Sequence, residues 1–239
     1  MADKKLFTEF PPVSTEQWEE VITKDLKGAD YEKKLVWKTN DGISVRPYYR
    51  SENLKSLKYL GAKPGEYPFV RGVKENNDWL VRQNYCACAD VNNANAQALD
   101  GLMKGVTSLG FCVGGKLSDE EFGQLMKGIH MDAVEVNFTG CKCSSAELIS
   151  QIANYAKKNN AKLENVCGST DYDPLKKLTL AGNICEEKAF EKVKEQIEAA
   201  KDLKRWKTVG ISGNIIHNSG STIVQELAFA LAMGNEYLS

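Results

Sequence analysis

At 239 residues, with 42% hydrophobic and 26% charged side chains and a net charge of −1, this chain is long enough for one sizeable core, or for a core plus an arm. No basic block interrupts that near-neutral balance, so nucleic acid and anionic membrane are excluded as expected partners. No run of about 18 apolar residues is present to span a bilayer. The start, Met1-Ala-Asp-Lys-Lys-Leu6, has no apolar signal core, and the seven cysteines fit no small disulfide scaffold; the expected setting is a reducing cytoplasm with free thiols.

Residues 1–78 read as an arm with little core of its own. Ser14 with Gln17 three positions on forms a capping box, and Trp18, Val21, Ile22 and Leu26 follow at helical spacing until Gly28. A hairpin is expected next, with strands at Lys34–Thr39 and Ile43–Pro47 around Asn40-Asp41-Gly42. Residues 61–78, rich in Gly, Pro and Asn, read as irregular chain.

From Trp79 the pattern alternates. Expected strands are Trp79–Cys86, Leu109–Gly114, Ala133–Phe138, Glu164–Ser169 and Lys207–Ser212. Expected helices are Asn92–Thr107, Ser118 through Ile129, one opened by the capping box Ser144-Ser-Ala-Glu147, Glu186–Lys201 and Thr222–Met233. Such alternation implies parallel strands joined by helical crossovers, in an α/β domain over residues 79–239. A doubly wound sheet and an incomplete (β/α)8 TIM barrel of about five βα units both fit. A whole barrel needs about 250 residues without an arm, so roughly three units would be absent here.

Several residues invite chemistry. Cys86, Cys88, Cys112, Cys141, Cys143 and Cys167 fall at or near strand ends, where sites gather, and thiolates there suit zinc; their Cys-x-Cys spacing is not that of a zinc knuckle, and small apolar filler is the favoured role. His217 follows the fifth strand as a structural histidine or a base. Asp171 and Asp173 before Pro174 read as a turn. Gly114-Gly115-Lys116 lacks the spacing of a phosphate loop. No arginine occurs between Arg82 and Arg205, so the middle strands offer no guanidinium fork for a carboxylate.

Four segments, in order, carry a resemblance. Asp41-Gly-Ile-Ser-Val-Arg-Pro-Tyr48-Tyr49, Pro64-Gly-Glu-Tyr-Pro-Phe69-Val-Arg71-Gly72, Trp79-Leu-Val-Arg82-Gln83 and Ile211-Ser-Gly213 resemble the arm, the first barrel strand and the Ile-Ser-Gly-Tyr-His segment of adenosylcobalamin-dependent methylmalonyl-CoA mutases. That family turns methylmalonyl-CoA into succinyl-CoA through an adenosyl radical, and CoA threads its barrel. The resemblance places Asn84 where catalytic chains carry a tyrosine wedged against the cofactor. Asn214 and Ile215 stand where they carry Tyr-His, and Ala181 falls near the arginine that holds the substrate carboxylate. Tyr85 comes one residue late, which turns it to the other face of the strand. The Asp-x-His-x-x-Gly loop of the cobalamin domain does not occur in this sequence.

The resemblance therefore implies a small, non-catalytic subunit with no cofactor or metal of its own. Its expected partner is a catalytic large subunit, which binds adenosylcobalamin in a heterodimer. Trp18, Trp37, Tyr48 and Tyr49 of the arm are the candidate interface anchors. A catalytically competent acyl-CoA mutase chain and an unrelated α/β thiol or metal-binding protein are the alternatives.

Overall fold

The structure, a computed structural model, describes residues 7–140, 146–183 and 186–239, which fall into two compact units, Met1–Glu75 and Asn76–Ser239. In the first unit, helix α1 (Thr15–Asp25) starts at the expected capping box: the Ser14 hydroxyl accepts from the Gln17 amide, and the Gln17 side chain accepts from the Ser14 amide. Gly28, at φ 87°, closes the turn that follows. The next segment corrects the expected hairpin. Asp30 caps a short helix α2 (Tyr31–Leu35), so Lys34 and Leu35 are helical. Only Trp37–Lys38 (β1) and Ser44–Val45 (β2) pair, antiparallel, with Trp37 opposite Val45. A 3₁₀ turn at Ser51–Leu54 was not expected. Among the described residues of this unit only Val36 is a buried hydrophobic side chain.

The second unit holds five parallel strands: β3 (Arg82–Cys86), β4 (Ser108–Cys112), β5 (Glu135–Thr139), β6 (Cys167–Tyr172) and β7 (Arg205–Val209). They lie side by side in chain order, with β3 and β7 at the two edges. A doubly wound sheet reverses its order at a switch point. This one never does, and the right-handed crossovers of parallel units then put every intervening helix on one face. The architecture is a partial (β/α) barrel.

That helix-bearing face is the core. Its register row Leu109–Val136–Gly168–Trp206 and the next row Tyr85–Phe111–Phe138 turn apolar side chains the same way. They pack against α3 (Val91–Met103), α4 (Asp119–Leu125) and α5 (Ala146–Lys158) through Ala94, Ala98, Phe122, Leu125, Ile149 and Ile152. Ring pairs run from Tyr85 to Phe111, on to Phe138, and from there to Trp206, with centroids 6.2, 5.9 and 6.5 Å apart. Gly168 on β6 lets Trp206 lie across it, because a Cβ there would meet Trp206 and the Val136 carbonyl.

The helices differ from expectation at their ends. Asp90 caps α3, and Gly105 at φ 99° ends it before Thr107; Gly128 at φ 76° stops the chain of α4 short of Ile129. Ser144 and the cysteines at 141 and 143 lie outside the described residues. Asp171 and Tyr172 belong to β6 rather than to a turn, and Asp173 caps an unexpected helix α6 (Pro174–Ala181). Glu186–Ala199 forms α7. After β7 comes a short α8 (Gly213–Asn218) and then α9 (Ile223–Leu238), whose capping box is Thr222 and Gln225. The helix expected to end at Met233 runs on to Leu238.

Candidate functional site

Among the described residues, no crossover helix covers the opposite face of the sheet, and that face is polar. Alternation decides this. On β5, Glu135, Asn137 and Thr139 alternate with Val136 and Phe138, so burying the second set aims the first set the other way. Register then aligns rows across the strands. Arg82, Ser108 and Glu135 form one; Asn84, Gly110, Asn137, Ser169 and Lys207 form the next; Cys86, Cys112 and Thr139 form a third at the C-terminal ends.

Hydrogen bonds knit these rows together. Glu135 Oε2 accepts from Arg82 Nη2 at 3.0 Å and from Ser108 Oγ at 2.6 Å. Arg82 Nε also donates to Ser108 Oγ at 3.0 Å. Asn137 Nδ2 donates to the Leu109 carbonyl at 3.2 Å, and its Oδ1 accepts from Ser169 Oγ at 2.8 Å. Burial pushes the Glu135 carboxyl up, but hydrogen bonds from Ser108, Arg82 and Asn137 with the Arg82 charge outweigh it, and the net shift is down. Glu135 therefore stays ionised at neutral pH, and the Arg82 guanidinium is committed to it. Nothing in the sequence reading singled out this network; the strict alternation Val-Glu-Val-Asn-Phe at 134–138 was the signal for it.

The sequence-predicted residues scatter around this face. Asn84 sits mid-strand on it, exposed, and its amide oxygen fills the space a Cβ on Gly110 would take. Tyr85 is on the far side, buried, its ring against Phe111 and its hydroxyl where a Cβ on Gly101 would be. Asn214 and Ile215 stand in the first turn of α8, just past β7, with Asn214 exposed and Ile215 half-buried. Ala181 is the exposed last residue of α6. His217 Nδ1 lies 3.0 Å from Glu226 Oε2 of α9, an ion pair when the imidazole is protonated.

Asp173 does more than a turn residue would. Its carboxylate accepts from the amides of Lys176 and Ser212 and, at 2.6 Å, from the Tyr237 hydroxyl. It thereby joins the ends of β6 and β7 to α9. Burial, and then the bond to Asp173, raises the Tyr237 hydroxyl far above the usual phenol range.

Among the described residues the cysteines are not buried filler: Cys86 and Cys88 are exposed, Cys112 and Cys167 half-buried. Among the described residues no group of three or more His, Cys, Asp or Glu side chains is placed to hold a metal ion. No helix among them is long and apolar enough to cross a membrane.

Against known proteins, the methylmalonyl-CoA mutase family profile matches residues 38–114 and 116–239. The chain belongs to the methylmalonyl-CoA mutase family. It is 41% identical to a methylmalonyl-CoA mutase small subunit of Porphyromonas gingivalis over 98% of its own length. Identity is 28% to a small subunit from Propionibacterium freudenreichii subsp. shermanii, over 96% of the chain, and 26% to a large subunit from Streptomyces virginiae, over 95%. Those matches span 38%, 37% and 35% of the relatives' lengths, so the chain corresponds to somewhat over a third of a mutase chain. Within the family frame, the Ile211-Ser-Gly213 segment carries the chain from β7 into α8, and Asn214 and Ile215 are the first side chains beyond it.

Proposed function

We propose that this chain is part of the small, non-catalytic subunit of a heterodimeric methylmalonyl-CoA mutase, an isomerase complex whose partner large subunit binds adenosylcobalamin and converts methylmalonyl-CoA to succinyl-CoA. The observation that carries this is chemical. A family frame with ordered strands and turns carries side chains unsuited to the reaction at its working positions. Asn84 offers a short amide on the open face while Tyr85 points into the helix layer. Asn214 and Ile215 offer neither a phenol nor an imidazole, and Ala181 offers no cation. His217, two residues on, pairs with Glu226. These residues do not fit adenosylcobalamin and its radical, so no step of the reaction runs through them.

What the chain supplies is surface. Trp18, Trp37 and Tyr49 are 51%, 65% and 58% exposed, and Tyr48 stacks on Trp18 with ring centroids 5.7 Å apart while its hydroxyl donates to Glu19. Exposed aromatics in a unit almost without a core suit the buried centre of a subunit interface. Two assays test the reading. The purified protein, given methylmalonyl-CoA and adenosylcobalamin, is expected to form no succinyl-CoA above a protein-free control. Co-expressed with the large subunit, it is expected to co-purify with it at equal stoichiometry. Cofactor-dependent turnover by the chain alone would establish the competent-enzyme alternative instead.

A further inference from the structure

Thiols gather at the C-terminal ends of β3 and β4, and neither the proposed subunit role nor the polar network uses them. Cys86 and Cys112 are register partners at the last positions of the two strands. Beyond β3, the Ala87 amide donates to the Cys112 carbonyl at 2.8 Å, which keeps the departing chain beside β4 and brings Cys88 over Cys112. The Cys88 thiol donates to that same carbonyl at 3.4 Å, and its Sγ lies 3.8 Å from the Sγ of Cys112. Gly114 leaves room for it: a Cβ at that position would stand 3.3 Å from the Cys88 Cβ. Sulfurs at this separation touch without bonding. A disulfide of about 2.05 Å requires the two to close by rotation, and their strands are already neighbours. Cys88 is exposed and Cys112 half-buried, so a small reagent reaches the pair from solvent.

We propose that Cys88 and Cys112 form a thiol–disulfide exchange site, which a small-molecule disulfide oxidises to a bond stapling the end of β3 to the end of β4. One cysteine, as thiolate, attacks the reagent disulfide, forming a mixed disulfide and expelling one reagent thiolate. The second cysteine then gives up its proton and attacks the protein sulfur of that mixed disulfide, expelling the other reagent thiolate. The two protons end on the two released thiols. The two cysteine sulfurs together lose two electrons, and the reagent disulfide gains them. Hydrogen bonding with Cys86 and then with Cys112 pushes the Cys88 thiol up to about 11, so alkaline conditions favour the exchange.

The intact folded protein, incubated with oxidised glutathione at alkaline pH, quenched by acidic alkylation and mapped without reductant, provides the test. The expected product is a cross-linked peptide joining Cys88 to Cys112, lighter by two hydrogens and reversed by dithiothreitol. Cys86→Ser is expected to retain the cross-link. Cys88→Ser and Cys112→Ser are each expected to lose it and to hold a glutathione adduct on the remaining thiol. A bond from either cysteine to any other, a wild-type protein that stops at a mixed disulfide, or a cross-link formed only after denaturation would each overturn the proposal.

Discussion

The two faces of the five-stranded sheet use one backbone in opposite ways. Toward the helices, Leu109, Phe111, Val136 and Phe138 are fully buried, and an aromatic line crosses four of the five strands. On the other side, the same strands present Arg82, Asn84, Glu135, Asn137, Ser169 and Lys207. The first face holds the unit together by burial, where each methylene removed is felt as cavity. The second holds its side chains in place by hydrogen bonds, which set direction more than they add stability. A chain can thus lose the chemistry of one face and keep its fold, because fold and site are written on alternate residues of one strand.

Substitutions on the two faces are expected to differ most where the core is deepest. Phe138→Ala would cost about 3–5 kcal/mol in chemical denaturation, since it removes the ring that meets Phe111, Phe122 and Trp206. A loss below about 1 kcal/mol would break the contrast. Gly168→Ala is expected to cost about 3 kcal/mol, at the upper end for overpacking, because its new Cβ meets Trp206 and the Val136 carbonyl. A thermal melt reads this directly.

Glu135→Gln, on the polar side, is expected to cost only about 1–2 kcal/mol at neutral pH, from weakened bonds to Arg82 and Ser108. Its pH dependence sharpens the comparison. The folded carboxyl titrates below its unfolded value, so the ionised group's contribution is complete above about pH 4.3 and is lost as pH falls through the folded value. Wild type and Glu135→Gln should therefore converge in stability on acidification. A gap that stays constant from pH 7 to pH 3 would deny the ion pair its role. Smallest of all, Lys207→Ala should shift stability by less than about 0.5 kcal/mol, as an exposed side chain on the edge strand of the open face.

Much of this was legible in the sequence. The five strands and their helices came from apolar periodicity and capping boxes, and the Ser14 and Ser118 boxes formed with both of their reciprocal bonds. Local pattern did not choose between barrel and doubly wound sheet, because strand order depends on pairing partners; the resemblance to the mutase family pointed to the partial barrel, which the strand order bears out. Helices α2, α6 and α8 were missed because they are short: five, eight and six residues leave little periodicity to read. Asp173 read as a turn residue because a helix cap and a turn use the same side chain for the same local bond. Its partner Tyr237 lies in α9, far along the chain, and no spacing rule links the two. The turn of Tyr85 away from the open face followed directly from the strand's two-residue repeat.

Strand order also carries a consequence for how such a chain is made. Each of β4 to β7 pairs with the strand synthesised just before it, one crossover earlier. No pairing waits for a distant segment, so the sheet can grow by accretion as the polypeptide leaves the ribosome, each new unit docking on a finished edge. Throughout that growth one strand is always the fresh edge, open to the next arrival and to strands of other chains. Short strands of five or six residues limit how much of that ladder is exposed at any moment.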